Sequence, residues 1–387
     1  MSDLKLNNVT PDGIGKIKLG SSDVSKIYSG STLVWPIANN PDDPYEPVFG
    51  TARFVATDNG GVINLYDTSF NTITPPNPFG LLPNSNYHLG GVSDNLSYMV
   101  ACGDGSTSEE IKISLDGGQT FSNPSSGTFQ SDFLRTMVSK SGKVILSAVP
   151  GTTFPPTSDA NWMLSTDYGV NFIKVTLPSV IAVMNVTGGA ISSGGKFIAI
   201  SNRVYTDTGT YIDKAFYSKD YGSTWNDASS FGQGDRTWKP LISGSGEYLI
   251  FINVSTPSNS FYSSDYAENF IQKNYTGLEI QAATILGTAM NQSGQYYIFS
   301  ETLYANGSVV VYGNNYGSTL PQNRISTNNT GARNVRTSNS GETIFWSDEG
   351  ASSPNYSFSD NFGATWSAVQ SAPSSVGEGS VFLVDVS

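Results

Sequence analysis

The feature that most constrains this 387-residue chain is a short motif, Ser-x-Asp-x-Gly-x-Thr-aromatic, recurring at near-constant intervals. It reads SLDGGQTF from Ser114 to Phe121, STDYGVNF from Ser165 to Phe172 and SKDYGSTW from Ser218 to Trp225. SSDYAENF follows from Ser263 to Phe270, then a worn copy, GNNYGSTL, from Gly313 to Leu320, and finally SDNFGATW from Ser359 to Trp366. The glycine slot falls at Gly118, Gly169, Gly222, Ala267, Gly317 and Gly363, in steps of 51, 53, 45, 50 and 46 residues. One step earlier the segment LYDTSFNT carries Asp67 in the aspartate slot, which makes a seventh, degraded copy. Periods of this length belong to repeat architectures, in which each unit buries an apolar face against its neighbours.

A second marker keeps the same beat. Gly142, Gly195, Gly246, Gly294 and Gly341 lie 24–27 residues after successive glycine slots, and each opens an apolar run: KVILS, KFIAI, EYLIF, QYYIF or ETIFW. Two independent markers in one register predict seven units of short strands. Composition agrees: 40 Gly and 19 Pro supply tight turns, while 20 Tyr and 20 Phe suit pleated, half-buried surfaces. No stretch shows the 3.6-residue periodicity of an amphipathic helix. The chain reads as all-β.

The repeated motif resembles the Asp-box (BNR) propellers, which include sialidases, other glycoside hydrolases, sortilin-type receptors and a photosystem assembly factor. The resemblance covers about residues 49–387 and implies a seven-bladed β-propeller, with each box at the hairpin between the third and fourth strands of a blade. In that setting Asp67, Asp116, Asp167, Asp220, Asp265, Asn315 and Asn361 are structural, the carboxylates accepting backbone N–H groups within the turn. The motif's last aromatic (Phe121, Phe172, Trp225, Phe270, Trp366) begins the outer strand and wedges between blades. The first repeat begins at a second strand, ARFVATD near Arg53, and has no innermost strand of its own. The chain ends on an unpaired candidate, Gly379 to Ser387. This C-terminal strand is expected to become the innermost strand of blade 1 and to close the ring, removing two open sheet edges.

Residues 1–36 carry a different repeat. KIKLGSSDVS (Lys16 to Ser25) is followed at once by KIYSGSTLVW (Lys26 to Trp35), with Ile17/Ile27, Gly20/Gly30, Ser21/Ser31 and Val24/Val34 in step. Paired short strands with Gly-Ser turns are expected, a small β module that needs a partner. Residues 37–48 form a Pro- and Asp-rich, semi-rigid linker. The ten-residue pattern resembles N-terminal segments of tailed-phage virion proteins of the fibre or decoration type, where such segments join the protein to the particle. The resemblance implies that residues 1–36 contact other virion proteins.

Several function classes drop out on charge and composition. A net charge of −12 opposes nucleic-acid binding, which needs a basic face. Cys102 is the sole cysteine, so no intrachain disulfide forms. MSDLKLNNVT has no apolar signal-peptide core, and no apolar run approaches a membrane span, so membrane insertion is not expected. A virion location fits, with assembly in the host cytoplasm.

An enzyme reading fares less well. Sialidases usually place their first arginine in Arg-Ile-Pro before the first box, and here the nearest candidate is Arg53 in ARFVAT. His88, the one histidine, cannot build a multi-histidine zinc site. No catalytic residue, metal or cofactor is expected. The alternatives are a sialidase-like glycoside hydrolase, since carboxylates are plentiful, and a cytoplasmic assembly-factor propeller.

Candidate ligand residues are Arg135, Arg236 and Arg333, near the starts of inner strands in alternate blades, together with Trp238. Arginine pairs with carboxylates and tryptophan stacks on sugar faces, which points to a host-surface glycan. The longest loops between second and third strands are expected at Ala148 to Ala160 and Asn202 to Lys214. Further copies of the same chain complete the set of expected partners.

Overall fold

The computed structural model describes residues 17–19, 22–24, 27–29, 32–35, 45–57, 61–73, 79–83, 87–103, 111–126, 136–149 and 161–178. It continues over 180, 182–205, 211–228, 238–253, 259–275, 284–303, 307–318, 323–326, 332–348, 355–371 and 381–386. Each apolar run bounded by Ser-Gly turns becomes a strand, and seven antiparallel sheets form the seven blades of a β-propeller. Blades 3 to 7 each contain four strands in sequence order, beginning on the inner strands Thr136–Val138, Ala182–Ile191, Trp238–Ile242, Thr284–Met290 and Ala332–Thr337. Blade 2 has three (Tyr87–Val92, Met99–Gly103, Lys112–Ser114), and its outer edge is reduced to a bridge between Ile113 and Ser122.

Blade 1 is closed as expected. Phe382–Val386 pairs antiparallel with Thr51–Thr57, in the register Phe382↔Val55, Leu383↔Phe54, Val384↔Arg53, Asp385↔Ala52 and Val386↔Thr51. The sheet continues through Ile63–Tyr66 to Thr72–Ile73. Both termini of the ring therefore meet in one sheet, and the innermost and second strands of blade 1 each gain a full ladder of backbone hydrogen bonds.

The core fills the slots between blades. Trp162 and Leu164 of blade 3 pack on Ile198, Ile200 and Phe216 of blade 4, and Ile250 and Ile252 of blade 5 pack on Tyr297 and Phe299 of blade 6. Across the closing seam Phe54 meets Phe345 at 4.5 Å between ring centroids. The wedge aromatics behave alike, each reaching back one blade. Phe172 lies with Ile113 of blade 2, Phe270 stands 5.2 Å from Tyr217 of blade 4, and Trp366 stands 5.2 Å from Tyr312 of blade 6. Burying one such ring stabilises by roughly 1.5–3 kcal/mol.

One expected loop is largely strand. In blade 4 Ile198–Tyr205 and Tyr211–Ser218 pair as far as Tyr205↔Tyr211, so the loop expected at Asn202 to Lys214 shrinks to 206–210. Val204 is fully buried opposite Ile212, and the adjacent register pair sets Arg203 against Asp213, an ion pair at 3.0 Å. Alternating apolar burial and a cross-strand charge pair outweigh the turn-forming residues nearby. The other expected loop, Ala148 to Ala160, has its beginning in strand Ile145–Val149; residues 150–160 lie outside the described residues.

The N-terminal repeat forms two hairpins, one per ten-residue unit. Ile17–Leu19 pairs with Ser22–Val24, and Ile27–Ser29 pairs with Thr32–Trp35. Both are two-stranded sheets distinct from the seven blade sheets.

Removal of residues 380–387 leaves Thr51–Thr57 with an unpaired edge and uncovers Phe54 and Val55, both fully buried in the intact ring. The truncated protein is expected to aggregate or to melt far below the full-length form. A soluble truncation with an unchanged melting temperature in a thermal scan would contradict closure by this strand.

Candidate functional site

Five of the seven motif turns, in blades 2 to 5 and 7, share one construction. In blade 4 the Ser218 hydroxyl donates to Asp220 Oδ1 at 2.8 Å and accepts from the Gly222 N–H at 2.8 Å. Asp220 Oδ1 also accepts the Thr224 N–H at 2.8 Å, and its Oδ2 accepts the Thr224 hydroxyl at 2.6 Å. The same bonds recur at Asp116, Asp167 and Asp265, with Asn171 and Asn269 supplying an amide in place of the threonine hydroxyl. Asp67 accepts from the Asn71 N–H and amide. Asn361 keeps the backbone bond from Thr365 N but donates from Nδ2 to the Thr365 hydroxyl. Burial tends to raise the pKa values of Asp67, Asp116, Asp167, Asp220 and Asp265, yet the donated hydrogen bonds win and hold them below the ordinary carboxylate value.

Sequence reasoning missed the residue just before the glycine slot. Tyr168, Tyr221, Tyr266, Tyr316 and Phe362 all sit at φ of 59–62°, in the left-handed region. Non-glycine residues there carry a penalty of about 1–2 kcal/mol. Each ring lies on the first turn of the preceding blade: Tyr168 on Tyr98 at 4.4 Å, Tyr266 on Phe197 at 5.7 Å, Tyr316 on Tyr248 at 4.9 Å and Phe362 on Tyr296 at 5.0 Å. Tyr221 instead lies under the Lys143 ammonium, 4.5 Å from its centroid. The recurrent glycine is needed twice over at these turns. Gly246 has φ of 80°, and a Cβ there would stand 2.1 Å from Phe197.

These turns and the first turns of the blades lie on one face, called the lower face below. Backbone bonds join them within blades 2 to 7, such as Tyr221 N to Lys196 O at 3.0 Å and Phe362 N to Glu342 O at 3.0 Å. Around the axis the second residue of each first turn forms a belt from blade to blade: Asp94 N to Lys140 O, Ser193 N to Gly244 O, Gly244 N to Asn291 O and Gln292 N to Asn339 O. Blade 1 has no first turn, because its inner strand is the chain's last. There the Asp385 side chain replaces the missing carbonyl, accepting the Asn339 N–H at 2.7 Å.

A polar knot fills the gap. Asn339 Nδ2 donates to Asp94 Oδ2 at 2.7 Å and to the Val48 carbonyl at 2.8 Å. Lys140 reaches across from blade 3, donating to Asn339 Oδ1 at 2.7 Å and standing 3.6 Å from Asp385. Tyr45 donates its hydroxyl to Asp94 Oδ2 at 2.8 Å. The segment 45–50 is thus tied beneath the axis before the chain enters blade 1. Burial outweighs the opposing pull of Lys140 and, with a smaller contribution from nearby Asp94, pushes Asp385 up to about 6. Burial and the Asp94 charge likewise push the Tyr45 phenol upward.

Two neighbouring carboxylates, one of raised pKa, are the usual mark of a glycosidase acid pair. Here Asp94 and Asp385 are 3% and 1% exposed and committed to the bonds above. Their lone pairs hold the ring together and are closed to a sugar. Among the described residues no group of three or more His, Cys, Asp or Glu side chains could hold a metal, and no helix is long and apolar enough to cross a membrane.

The expected ligand residues are not brought together as a described site. Arg135 and Arg236 lie outside the described residues, immediately or shortly before the inner strands of blades 3 and 5. Arg333 sits in the inner strand of blade 7 at a β-bulge between Ala332 and Asn334. Trp238 requires a correction: its indole is only 3% exposed, 5.9 Å from Phe261 in the interblade core, and offers no face to a sugar. Its position at the start of an inner strand suggested a face open to a sugar, but the side chain points into the slot between blades 4 and 5. His88 is half-buried in the inner strand of blade 2, paired in register with Cys102.

No protein-family model matches the chain, and none of the curated proteins matches it. Among solved structures the fold is similar to that of a Bacteroides uniformis protein assigned as a 6-phosphogluconolactonase, with TM-score 0.54 and 14% identity over 87% of this chain and 100% of that one. It is also similar to a prolyl endopeptidase, with TM-score 0.50 and 11% identity over 84% of this chain, which spans 50% of that longer one. An ancestral GH74 enzyme is a further propeller neighbour at TM-score 0.47 and 11% identity, covering 77% of this chain and 39% of that one. At these identities the likeness extends to the fold.

The knot makes stability depend on pH in a defined direction. Asp385 has a folded pKa of about 6 against an ordinary 3.8, so its contribution is full below pH 4 and lost as pH rises through about 6. The shift corresponds to about 3 kcal/mol. The motif aspartates act oppositely, losing stability only as pH falls below their ordinary value. Asp385→Asn, which keeps an acceptor for Asn339, is expected to flatten the fall in melting temperature between pH 4 and 6.5; an unchanged slope would place the titration elsewhere.

Proposed function

We propose that this chain is a non-enzymatic structural protein of a bacteriophage particle, built on an Asp-box propeller. Its N-terminal hairpins attach to other virion proteins, and its propeller is displayed to bind a host-surface glycan. The observation that carries this reading is the separation of two self-paired hairpins from a ring that closes without them. Two-stranded hairpins are marginally stable alone in water, so a tandem pair ahead of a complete domain suits docking onto a second protein. The Ser-x-Asp-x-Gly turns, with their carboxylates spent on backbone groups, support the Asp-box assignment and give no reactive acid.

The glycan half rests on Arg135, Arg236 and Arg333, which precede or open the inner strands of blades 3, 5 and 7 in a chain of net charge −12. A guanidinium at any of these positions on an acidic protein favours a carboxylate-bearing sugar. Trp238 has no part in it.

A protein lacking residues 1–40 is expected to melt close to the full-length form and to be absent from purified particles. Normal incorporation would defeat the attachment reading. Replacing all three arginines by alanine is expected to weaken adsorption to an immobilised anionic glycan about tenfold or more, and raised salt should mimic the change because exposed charges are screened. Release of sugar from that glycan by the wild-type protein would instead establish an enzyme.

A further inference from the structure

We infer that the lower face of the propeller is itself a docking surface, and that its occupant is the particle protein gripped by the N-terminal hairpins. The inference rests on the attachment reading above and adds which face meets the particle.

The first observation is where the chain enters. Tyr45 and Val48 are tied to Asp94 and Asn339 beneath the axis, so the N-terminal segment departs from the centre of the lower face. Nine residues, 36–44, separate Trp35 from Tyr45 and span at most roughly 35 Å when fully extended. A propeller of this size has a radius of gyration of about 20 Å. Hairpins on so short a tether begin within roughly 35 Å of the centre of the lower face. A protein holding them is thereby kept at high effective concentration against that face.

The second observation is what that face offers. Tyr168, Tyr221, Tyr266, Tyr316 and Phe362 form an arc across blades 3 to 7, each ring half-buried on the preceding blade or, at Phe362, 43% exposed. Phe49, on the tied segment at the axis, is 50% exposed. Rigid aromatic rings with hydroxyl edges are the side chains that carry most energy in protein interfaces. The left-handed backbone at all five positions carries a local penalty, which packing on the preceding blade offsets, and each ring still keeps part of its surface in solvent. In blades 3 to 5 the arc is accompanied by the motif carboxylates Asp167, Asp220 and Asp265, held below the ordinary carboxylate pKa and therefore ionised near neutrality, and by the Lys143 ammonium over Tyr221. In blades 6 and 7 the same slots hold the neutral Asn315 and Asn361. An aromatic arc with carboxylates along three of its five blades fits a protein surface with an apolar centre and basic groups on that side.

The test uses full-length protein carrying Tyr266→Asn and Tyr316→Asn, because asparagine tolerates the left-handed conformation and keeps the turns. Incorporation into particles is expected to fall about tenfold or more, while Ile173→Ser with Ile271→Ser, on exposed outer strands, leaves it unchanged. Hydroxyl-radical footprinting of the wild-type protein, free and in particles, provides a readout independent of folding losses: Tyr266, Tyr316 and Phe362 are expected to be modified in the free protein and protected in particles. Equal modification in both states overturns the inference. Protection already present in the free monomer also overturns it, by showing that the chain's own hairpins cover the face, and protection in a free dimer does so in favour of a second copy. If instead the protein lacking residues 1–40 incorporates normally, the attachment reading itself has failed.

Discussion

Everything else in the ring depends on how blade 1 is completed. A propeller made from one chain must bring its two ends into one sheet, or leave two edges open along an apolar slot. Here the ladder between Phe382–Val386 and Thr51–Thr57 does this, but it leaves blade 1 without the turn that every other blade contributes to the belt around the axis. Asp385, Asn339, Asp94 and Lys140 bridge that gap from blades 1, 7, 2 and 3. Neutral residues occupy the same belt positions in blades 4, 5 and 6, at Ser193, Gly244 and Gln292, where the backbone is continuous and no ionic bridge is needed. The charged half of the belt thus coincides with the covalent break.

A second constraint sets the spacing of the blades. In blades 3 to 7 the motif turn presents a ring one position ahead of its glycine slot, and that ring lies on the first turn of the blade before. The glycines of the first turns admit the close approach from the other side, Gly246 over Phe197 and Gly294 over Tyr248. The wedge aromatics repeat the arrangement nearer the outer edge. Register between sheets is therefore carried by side chains together with the single backbone bonds of the belt, since each blade is a separate sheet.

These constraints also bear on chemistry. The most perturbed carboxylate, Asp385, lies at the seam, where burial and a like charge are by-products of bridging the break. Strongly shifted acids often mark active sites, and here geometry points the other way, because the carboxyl is enclosed and bonded to Asn339 and Lys140. The display reading draws its support from modular construction, from the tied segment at 45–50 and from the surface left on either side of the ring.

The chain's periodicity alone determined the number of blades, the position of every motif turn and the strand that closes the ring. Those features repeat at fixed spacing, and each copy reports the same local backbone demand. The structural role of the motif aspartates was legible for the same reason: their partners lie within four residues. Only the tertiary structure decided which side chains face one another across blades. Lys140 meets Asn339 from 199 residues away, and Asn339 meets Val48 from 291. Such pairs leave no mark of spacing in the sequence. Trp238 was misplaced on the same account, since a strand's alternation says that two faces differ without saying which slot of a ring each will fill. The paired extension of blade 4 beyond Asn202 was hidden likewise, for the Arg203–Asp213 bridge exists only once the two strands have met.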